Sequence, residues 1–443
     1  MAHITSKSYF KLQQRLDKSP QGAPESETLF RILEHLFTEK EAEYVSVVPI
    51  FPFRLEKAAQ LWKTSLPDTV EILEGLAEKG IILDLKSKDV TLYVLAPTMA
   101  GFFEFSLMKM GGKFHKKLLS ELYYQYVNQE SEFGKRIFSL NPNPVRTFVQ
   151  EDTIQPKDVD QILDYEKATS VIENATFWAV GVCYCRHKME HLGRSCGHSM
   201  NVCMSFNEVG ESLTKHMFTR AISKSEALNI LESCRDEGLV QIGNNTQDNV
   251  SWMCNCCGCC CEALLAYKKL GFNPRIETNW FASIDVSHCT SCVMCVKKCP
   301  VNVISIVKDG VEFPVTYATV DEQKCLGCGV CSRFCPNKCI TMKRRKETKF
   351  VPKDTFERYV LAAIDSGTLQ NLLFDNFELW HYGILRGVLE IIFNLPPVKW
   401  LLANKQLQSR FIQVAGNRLY EKNPRLFLSK PDYSHPELKP PPK

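Results

Sequence analysis

The chain has 443 residues, enough for about three domains, and 44% of them are hydrophobic, which supports ordinary globular cores. Its 54 basic and 50 acidic residues leave a formal charge of only +4, too balanced for a protein that coats nucleic acid or rests on a membrane through a polybasic surface. The first 28 residues carry no apolar signal-peptide core. No window offers 18 clean apolar residues, since the nearest, Ile384 to Ala403, is broken by Arg386, Glu390, Pro396, Pro397 and Lys399. A cytoplasmic location is expected, with peripheral attachment at the inner membrane face as its furthest extension. All 20 cysteines fall between Cys183 and Cys339, and clustered cysteines in a reducing compartment point to metal ligation rather than disulfides.

In chain order, residues 1–25 read as a flexible tail bounded by "KSPQGAPESE". Residues 26–98 carry four stretches of helical apolar spacing, "SETLFRILEHLF", "TEKEAEYVSVV", "PFRLEKAAQLWKT" and "DTVEILEGLAEKG". Thr38 with Glu41 forms a capping box before the second, and Gly80 ends the fourth. "IILDL", the turn "KSKD" and "VTLYVLA" then read as a β-hairpin. Helices followed by a two-stranded wing resemble a winged-helix domain. Its would-be recognition helix, Pro67 to Lys79, carries Asp68, Glu71, Glu74 and Glu78. That charge repels phosphates, so no specific nucleic-acid binding is expected.

Residues 99–170 are expected to form a helical segment and then an extended linker, "NPNPVRTFVQEDTIQP", where each proline biases its predecessor away from helix. A cysteine-rich region follows over 171–275. Inside it "SKSEALNILESCRDEGLVQIG" echoes "DTVEILEGLAEKGIILD" and reads as a helix–strand unit capped by Ser223 and Glu226. "CYCRHKMEHLGRSCGHSMNVC" supplies Cys183, Cys185, Cys196 and Cys203, the count for one tetrahedral zinc or one [4Fe–4S] cluster. His187, His191 and His198 would serve a mixed zinc site, and Arg186 would lower the pKa of the thiols beside it.

"CNCCGCCC" then supplies Cys254, Cys256, Cys257, Cys259, Cys260 and Cys261 immediately before a helix, "EALLAYKKLG". The free N–H groups of a helix start favour thiolates. Ten upstream thiols are enough for two four-thiolate centres with two to spare, so one or two further iron–sulfur centres are expected, with zinc as the alternative. The surplus in "CNCCGCCC" leaves open a second cluster, a larger or irregular one, or thiols that exchange during redox.

Over 276–346 two runs repeat at a spacing of 36 residues. Cys289, Cys292, Cys295 and Cys299 precede Pro300, and Cys325, Cys328, Cys331 and Cys335 precede Pro336. This spacing resembles that of bacterial two-cluster ferredoxins. Three thiolates two residues apart can wrap three corners of a cubane, and the fourth lies too far along the chain to close the same cube. The resemblance implies that Cys289, Cys292, Cys295 and Cys335 hold one [4Fe–4S] cluster and Cys325, Cys328, Cys331 and Cys299 the other. Gly327 and Gly329 would let the backbone approach the cluster. Cys339, aligned with Val303, reads as a small core residue.

Residues 347–443 are expected to form a helical C-terminal region, amphipathic and basic, with Trp380, Tyr382 and Trp400 among aliphatics. Such a stretch suits docking on a protein or membrane surface. The Cys256–Gly258 triplet resembles the motif that holds non-cubane clusters in the heterodisulfide-reductase family, although that family has a longer spacing and a second copy. As a whole, residues 26–346 resemble large ferredoxin-domain proteins of anaerobic bacteria.

The expected fold is α+β and multi-domain, mainly helical, with a winged-helix-like N-terminal domain and an inserted ferredoxin domain of short strands and two helices. The expected function is low-potential transfer of single electrons between a donor and a partner oxidoreductase. A redox enzyme centred on Cys254–Cys261 and a redox-sensing transcription regulator are the alternatives.

Overall fold

The computed structural model describes residues 6–87, 90–112, 114–155, 162–271, 276, 278–309 and 315–373, together with Gln413 and Asn417. The fold is multi-domain α+β, mainly helical, with small sheets. The amphipathic stretch carrying Trp380, Tyr382 and Trp400 lies outside the described residues.

The N-terminal unit holds α1 (Lys7–Asp17), α2 (Glu27–Leu36), α3 (Glu39–Val45), α4 (Leu55–Trp62) and α5 (Leu66–Glu78), then the antiparallel hairpin β1 (Ile82–Ser87) and β2 (Val90–Leu95). The Thr38–Glu41 capping box is present. The expectation of a loose tail over residues 1–25 is corrected by α1. Tyr9, Leu12 and Leu16 repeat at helical spacing and are buried in the core. Polar groups of the same helix are satisfied inside the unit: Tyr9 Oη donates to Phe37 O at 2.9 Å, and Arg15 Nε to Val48 O at 2.7 Å. The polar boundary that follows hides a short amphipathic pattern.

Three helices come next, α6 (Phe103–Met108), α7 (Lys116–Tyr123) and α8 (Glu132–Phe138). Their aromatics join the first core: Phe103 lies 4.9 Å from Tyr123, and Tyr126 stacks on Phe133 at 4.9 Å. The extended linker expected after them is instead part of a sheet. Its residues Val145–Thr147 form β3, and Arg146, Thr147 and Phe148 are buried. The prolines set an extended backbone, and a sheet edge uses it.

The cysteine-rich region is built on six antiparallel strands in the order β3, β7 (Val240–Asn244), β8 (Trp252–Cys256), β5 (Asn201–Phe206), β4 (Trp178–Val182) and β6 (Thr219–Ala221). In chain order these are α9 (Ala168–Asn174), β4 (Trp178–Val182), α10 (Tyr184–His191), β5 (Asn201–Phe206), α11 (Asn207–Lys215), β6 (Thr219–Ala221), α12 (Lys224–Asp236), β7 (Val240–Asn244), β8 (Trp252–Cys256) and α13 (Glu262–Lys269). Ser223 caps α12 as its sequence suggests. The sheet itself escapes a pattern reading. "VQIGN" is buried at every position and "NVCMSF" at all but its first, so the polar–apolar alternation of a half-exposed strand never develops.

The ferredoxin segment contains β9 (Trp280–Ile284), α14 (Met294–Lys298), β10 (Ile304–Asp309), β11 (Val315–Val320), α15 (Val330–Arg333) and β12 (Ile340–Arg344), followed by α16 (Thr355–Asp365) and α17 (Leu369–Leu373). β9 pairs with β12 and β10 with β11, so the two sequence repeats interlock. The segment is fastened to the six-stranded unit by polar contacts. Buried Glu166 accepts from Asn279 at 2.8 Å and pairs with Arg344 at 3.3 Å. Arg333 pairs with Asp152 at 2.9 Å and Asp236 at 2.7 Å.

Candidate metal centres

In the ferredoxin segment the backbone brings distant thiols together by interlocking its repeats. One small cleft is lined by Cys289, Cys292, Cys295 and Cys335, with Cys339 beside them. A second is lined by Cys325, Cys328, Cys331 and Cys299. The same exchange appears in the N–H···S bonds. Ala282 N of the first repeat donates to Cys325 Sγ, and Ala318 N, its counterpart 36 residues on, to Cys289 Sγ, each at 3.4 Å. Such donors stabilise thiolates and tune cluster potential.

The loop glycines have a sharper role than close approach alone. Gly327 and Gly329 have φ of 64° and 86°, and the equivalent positions of the first repeat, Ser291 and Val293, have φ of 56° and 59°. The left-handed geometry therefore belongs to the loop rather than to glycine. Glycine is required in the second repeat because its surroundings are closed: a β-carbon at Gly327 would stand 2.4 Å from Trp280 O, and one at Gly329 2.8 Å from Thr153 Oγ1. The first repeat faces outward and admits side chains.

The clefts differ in setting. Cys325, Cys328, Cys331 and Cys299 are all buried, whereas Cys292 is exposed and Cys289 and Cys335 are half-buried. Burial pushes the thiols of Cys325, Cys328 and Cys331 up, so thiolates there need a cation. Cys339, read from sequence as a plain core residue, places its sulfur 3.4 Å from that of Cys335.

The ten upstream thiols fall into two groups, and the division differs from the grouping by sequence proximity. Cys196 leaves its neighbours and joins Cys257, Cys259 and Cys260, with all four sulfurs within 4.8 Å of one another. The Cys196–Cys257 and Cys259–Cys260 separations are 3.7 and 3.8 Å. Four thiolates about 2.3 Å from one tetrahedral ion stand about 3.8 Å apart, so this set fits a single ion, zinc or iron. The thiol of Cys260 draws the Cys257 thiol down to about 5, while burial pushes Cys259 up to about 12.

The remaining six close into a ring. Cys183 faces Cys185 and Cys203, Cys203 also faces Cys254, and Cys254 also faces Cys256. Cys256 faces Cys261, and Cys261 returns to Cys185. Cys183, Cys254 and Cys261 are pulled down by the two thiols that each faces. Cys185, Cys203 and Cys256 are pushed up.

Arg186 stands between the ring and the four-cysteine set. Burial opposes its charge, but the facing thiols of Cys183, Cys203 and Cys257 raise its pKa. Its Nη2 donates to Asn255 O at 3.1 Å. Of the histidines considered as zinc ligands, His187 is buried and bonds Leu107 O at 2.7 Å, while His198 lies 3.3 Å from Glu237. Among the described residues the histidines join no cysteine set.

Cys234 sits buried on α12, outside both sets. A further group, Glu74, Asp84 and His216, holds no cysteine. Lys215 already pairs with both of its carboxylates, at 2.7 and 2.6 Å. Its visible role is to fasten the hairpin to α11. No described helix is long and apolar enough to cross a membrane.

Residues 288–358 match the family model of the 4Fe–4S dicluster domain. No curated protein and no solved structure matches the chain. The match supports an iron–sulfur-binding domain in the chain, the separate four-cysteine set supports a further candidate metal site, and both are consistent with a redox function in general.

Proposed function

We propose that this chain is an iron–sulfur electron-transfer protein that relays single electrons at low potential between a donor and a partner oxidoreductase. The observation that carries the reading is the exchange of the fourth cysteine, with Cys335 lining the cleft of Cys289, Cys292 and Cys295, and Cys299 that of Cys325, Cys328 and Cys331. In this reading these are the ligand sets of two [4Fe–4S] clusters. Such clusters, when bound, supply one-electron exchange.

The residues around them supply direction. The first set is the outward one, since Cys292 is exposed, and there the external partner approaches. The second set faces inward. Gln150 N bonds Cys328 O at 3.3 Å, and a β-carbon at Gly258 would stand 2.1 Å from Pro300 O, next to Cys299. The "CNCCGCCC" loop therefore packs directly against the inner set, and the upstream centres lie at the inner end of the relay.

The N-terminal unit serves as a winged-helix-like packing module rather than a nucleic-acid reader. Its hairpin is engaged within the chain, because Asp84 on β1 accepts from Ser212 at 2.6 Å and pairs with Lys215 at 2.6 Å. The domain division runs from this unit through a helical segment and the cysteine-rich sheet to the ferredoxin segment over 276–346. Residues 347–443 are assigned, from sequence, to docking on a partner or membrane surface.

The test is anaerobic purification of the full chain with iron and sulfide analysis. Cys289→Ala and Cys325→Ala should each remove about four irons and diminish reversible one-electron uptake from reduced methyl viologen. Unchanged iron in both variants would overturn the reading.

A further inference from the structure

We propose that the thiols of Cys183, Cys185, Cys203, Cys254, Cys256 and Cys261 hold one polynuclear iron–sulfur centre, distinct from the single ion of Cys196, Cys257, Cys259 and Cys260, with Arg186 as its counter-charge. This goes beyond the two-cluster reading, because it adds a third iron–sulfur site outside the ferredoxin segment.

Three observations carry it. The first is spacing. Neighbouring thiols around the ring face each other, yet among the described residues no three of the six lie within 4.8 Å of one another, whereas the four-cysteine set does. A ring this open cannot close on one ion, whose thiolates stand about 3.8 Å apart. In a polynuclear centre each thiolate ends on its own iron and the sulfurs spread accordingly. The second is number. Six thiols exceed the four that either zinc or a cubane takes.

The third is charge. Arg186 is 2% exposed, and its Nε and Nη1 are buried without a hydrogen-bond partner among the described residues. A guanidinium in that state costs stability unless an anion meets it, and the groups it faces are ring and four-cysteine thiols. An anionic cluster ringed by thiolates is the complement that such a cation requires. The ligands are also well supported: Cys261 occupies the position just before α13, and the next residue, Glu262, accepts from Tyr184 Oη at 3.0 Å and pairs with buried Lys188.

The test uses the full chain, purified without oxygen, with iron, sulfide and zinc counted per chain and the reduced state read by paramagnetic resonance. The wild type should carry at least about 12 irons, four beyond the eight of two cubanes. Cys203→Ser and Cys256→Ser should each remove the same increment of iron, leave the ferredoxin signals intact and leave the single ion in place. Cys259→Ala should remove the single ion alone. Arg186→Met, which keeps the ligands, should move the added signal to more negative potential without moving the ferredoxin signals. About eight irons with intact ferredoxin signals would overturn the six-thiol centre and spare the two-cluster reading. Missing ferredoxin signals would sink that reading instead. Unequal, additive losses from Cys203→Ser and Cys256→Ser would also overturn the proposal, since one centre must be lost as a unit.

Discussion

Each ferredoxin cleft draws three of its thiols from one seven-residue loop, Cys289–Cys295 or Cys325–Cys331, and borrows a fourth from the other repeat. The upstream ring draws on the turn from β4 into α10, on β5, on β8 and on the cap of α13. The first arrangement is largely local, and its geometry is written into the spacing of the cysteines. The second exists only when the sheet is assembled. A fold that gathers ligands from separate strands makes their site as fragile as its packing. Perturbations of the sheet should therefore separate the two regions.

The largest separation should come from the buried pair behind the ring. Lys188 and Glu262 are both almost wholly inaccessible, and removing one partner strands the other charge. Lys188→Met should cost about 3–5 kcal/mol in urea unfolding and lower upstream metal content while the ferredoxin signals persist. Lys188→Met with Glu262→Leu should recover most of the stability, because neither charge remains stranded. A double variant no better than the single one would show that packing, not charge, is at issue.

Next in size is the contact between the regions. A side chain at Gly258 meets backbone, Pro300 O at 2.1 Å and Pro300 C at 2.8 Å, which cannot rotate away. Gly258→Val should destabilise the chain by about 2–3 kcal/mol. It should also slow electron exchange between the ferredoxin segment and the upstream centres in rapid-mixing experiments, with both metal loadings retained. Unaltered stability would mean that the two regions are not pressed together here.

Two carboxyls respond to pH in opposite senses. Burial and the charge of Glu262 push the Glu104 carboxyl up to about 8 from an ordinary 4.5. Because the folded value lies above the unfolded one, folding takes up a proton between them. Stability should fall as pH rises from about 4.5 to 8 and then level off. Glu104→Gln should flatten that part of the profile. Asp84 works in the opposite sense. Desolvation opposes its charge, but hydrogen bonds from His216, Lys215 and Ser212 hold the carboxyl well below the ordinary range. Its contribution is present above the unfolded value near 3.8 and is lost as pH falls towards the folded one.

The smallest effect is local to the outward loop. Val293 is a β-branched residue at φ 59°, a region it enters at a cost. Relief of that strain, about 1–2 kcal/mol, outweighs the unfolded-chain entropy that glycine adds, roughly 0.5–1 kcal/mol, so Val293→Gly should stabilise the protein by a few tenths of a kcal/mol to about 1 kcal/mol without changing iron content, whereas Gly329→Val, the equivalent change inside, should destabilise it. Equal responses at the two positions would remove the inward–outward distinction.

What could be read from the sequence divides along the same line. The ferredoxin repeats, the Thr38 and Ser223 caps and the hairpin after α5 are local signals, and each has its counterpart in the fold. Helix α1 was obscured by the polar stretch after it, although Tyr9, Leu12 and Leu16 carried the period. The six-stranded sheet was hidden because strands such as "VQIGN" are buried throughout and show no alternation. The division of the upstream thiols could not be read from spacing at all. Cys196 is near Cys185 in sequence but meets Cys257 in space, and only the strand order decides that. The position of Arg186 beside "CxC" was visible, whereas its place between two thiol sets was not.

The proposed relay requires two adjacent one-electron centres in the ferredoxin clefts, joined to the inner site. Paramagnetic resonance of the fully reduced, anaerobically purified chain tests it most directly. Two clusters in neighbouring clefts should give a broadened spectrum of interacting spins, and Cys325→Ala should collapse its ferredoxin part to the narrow signal of one isolated cluster. A wild-type spectrum showing only one isolated cluster, or no iron–sulfur signal from the ferredoxin segment, would contradict the account.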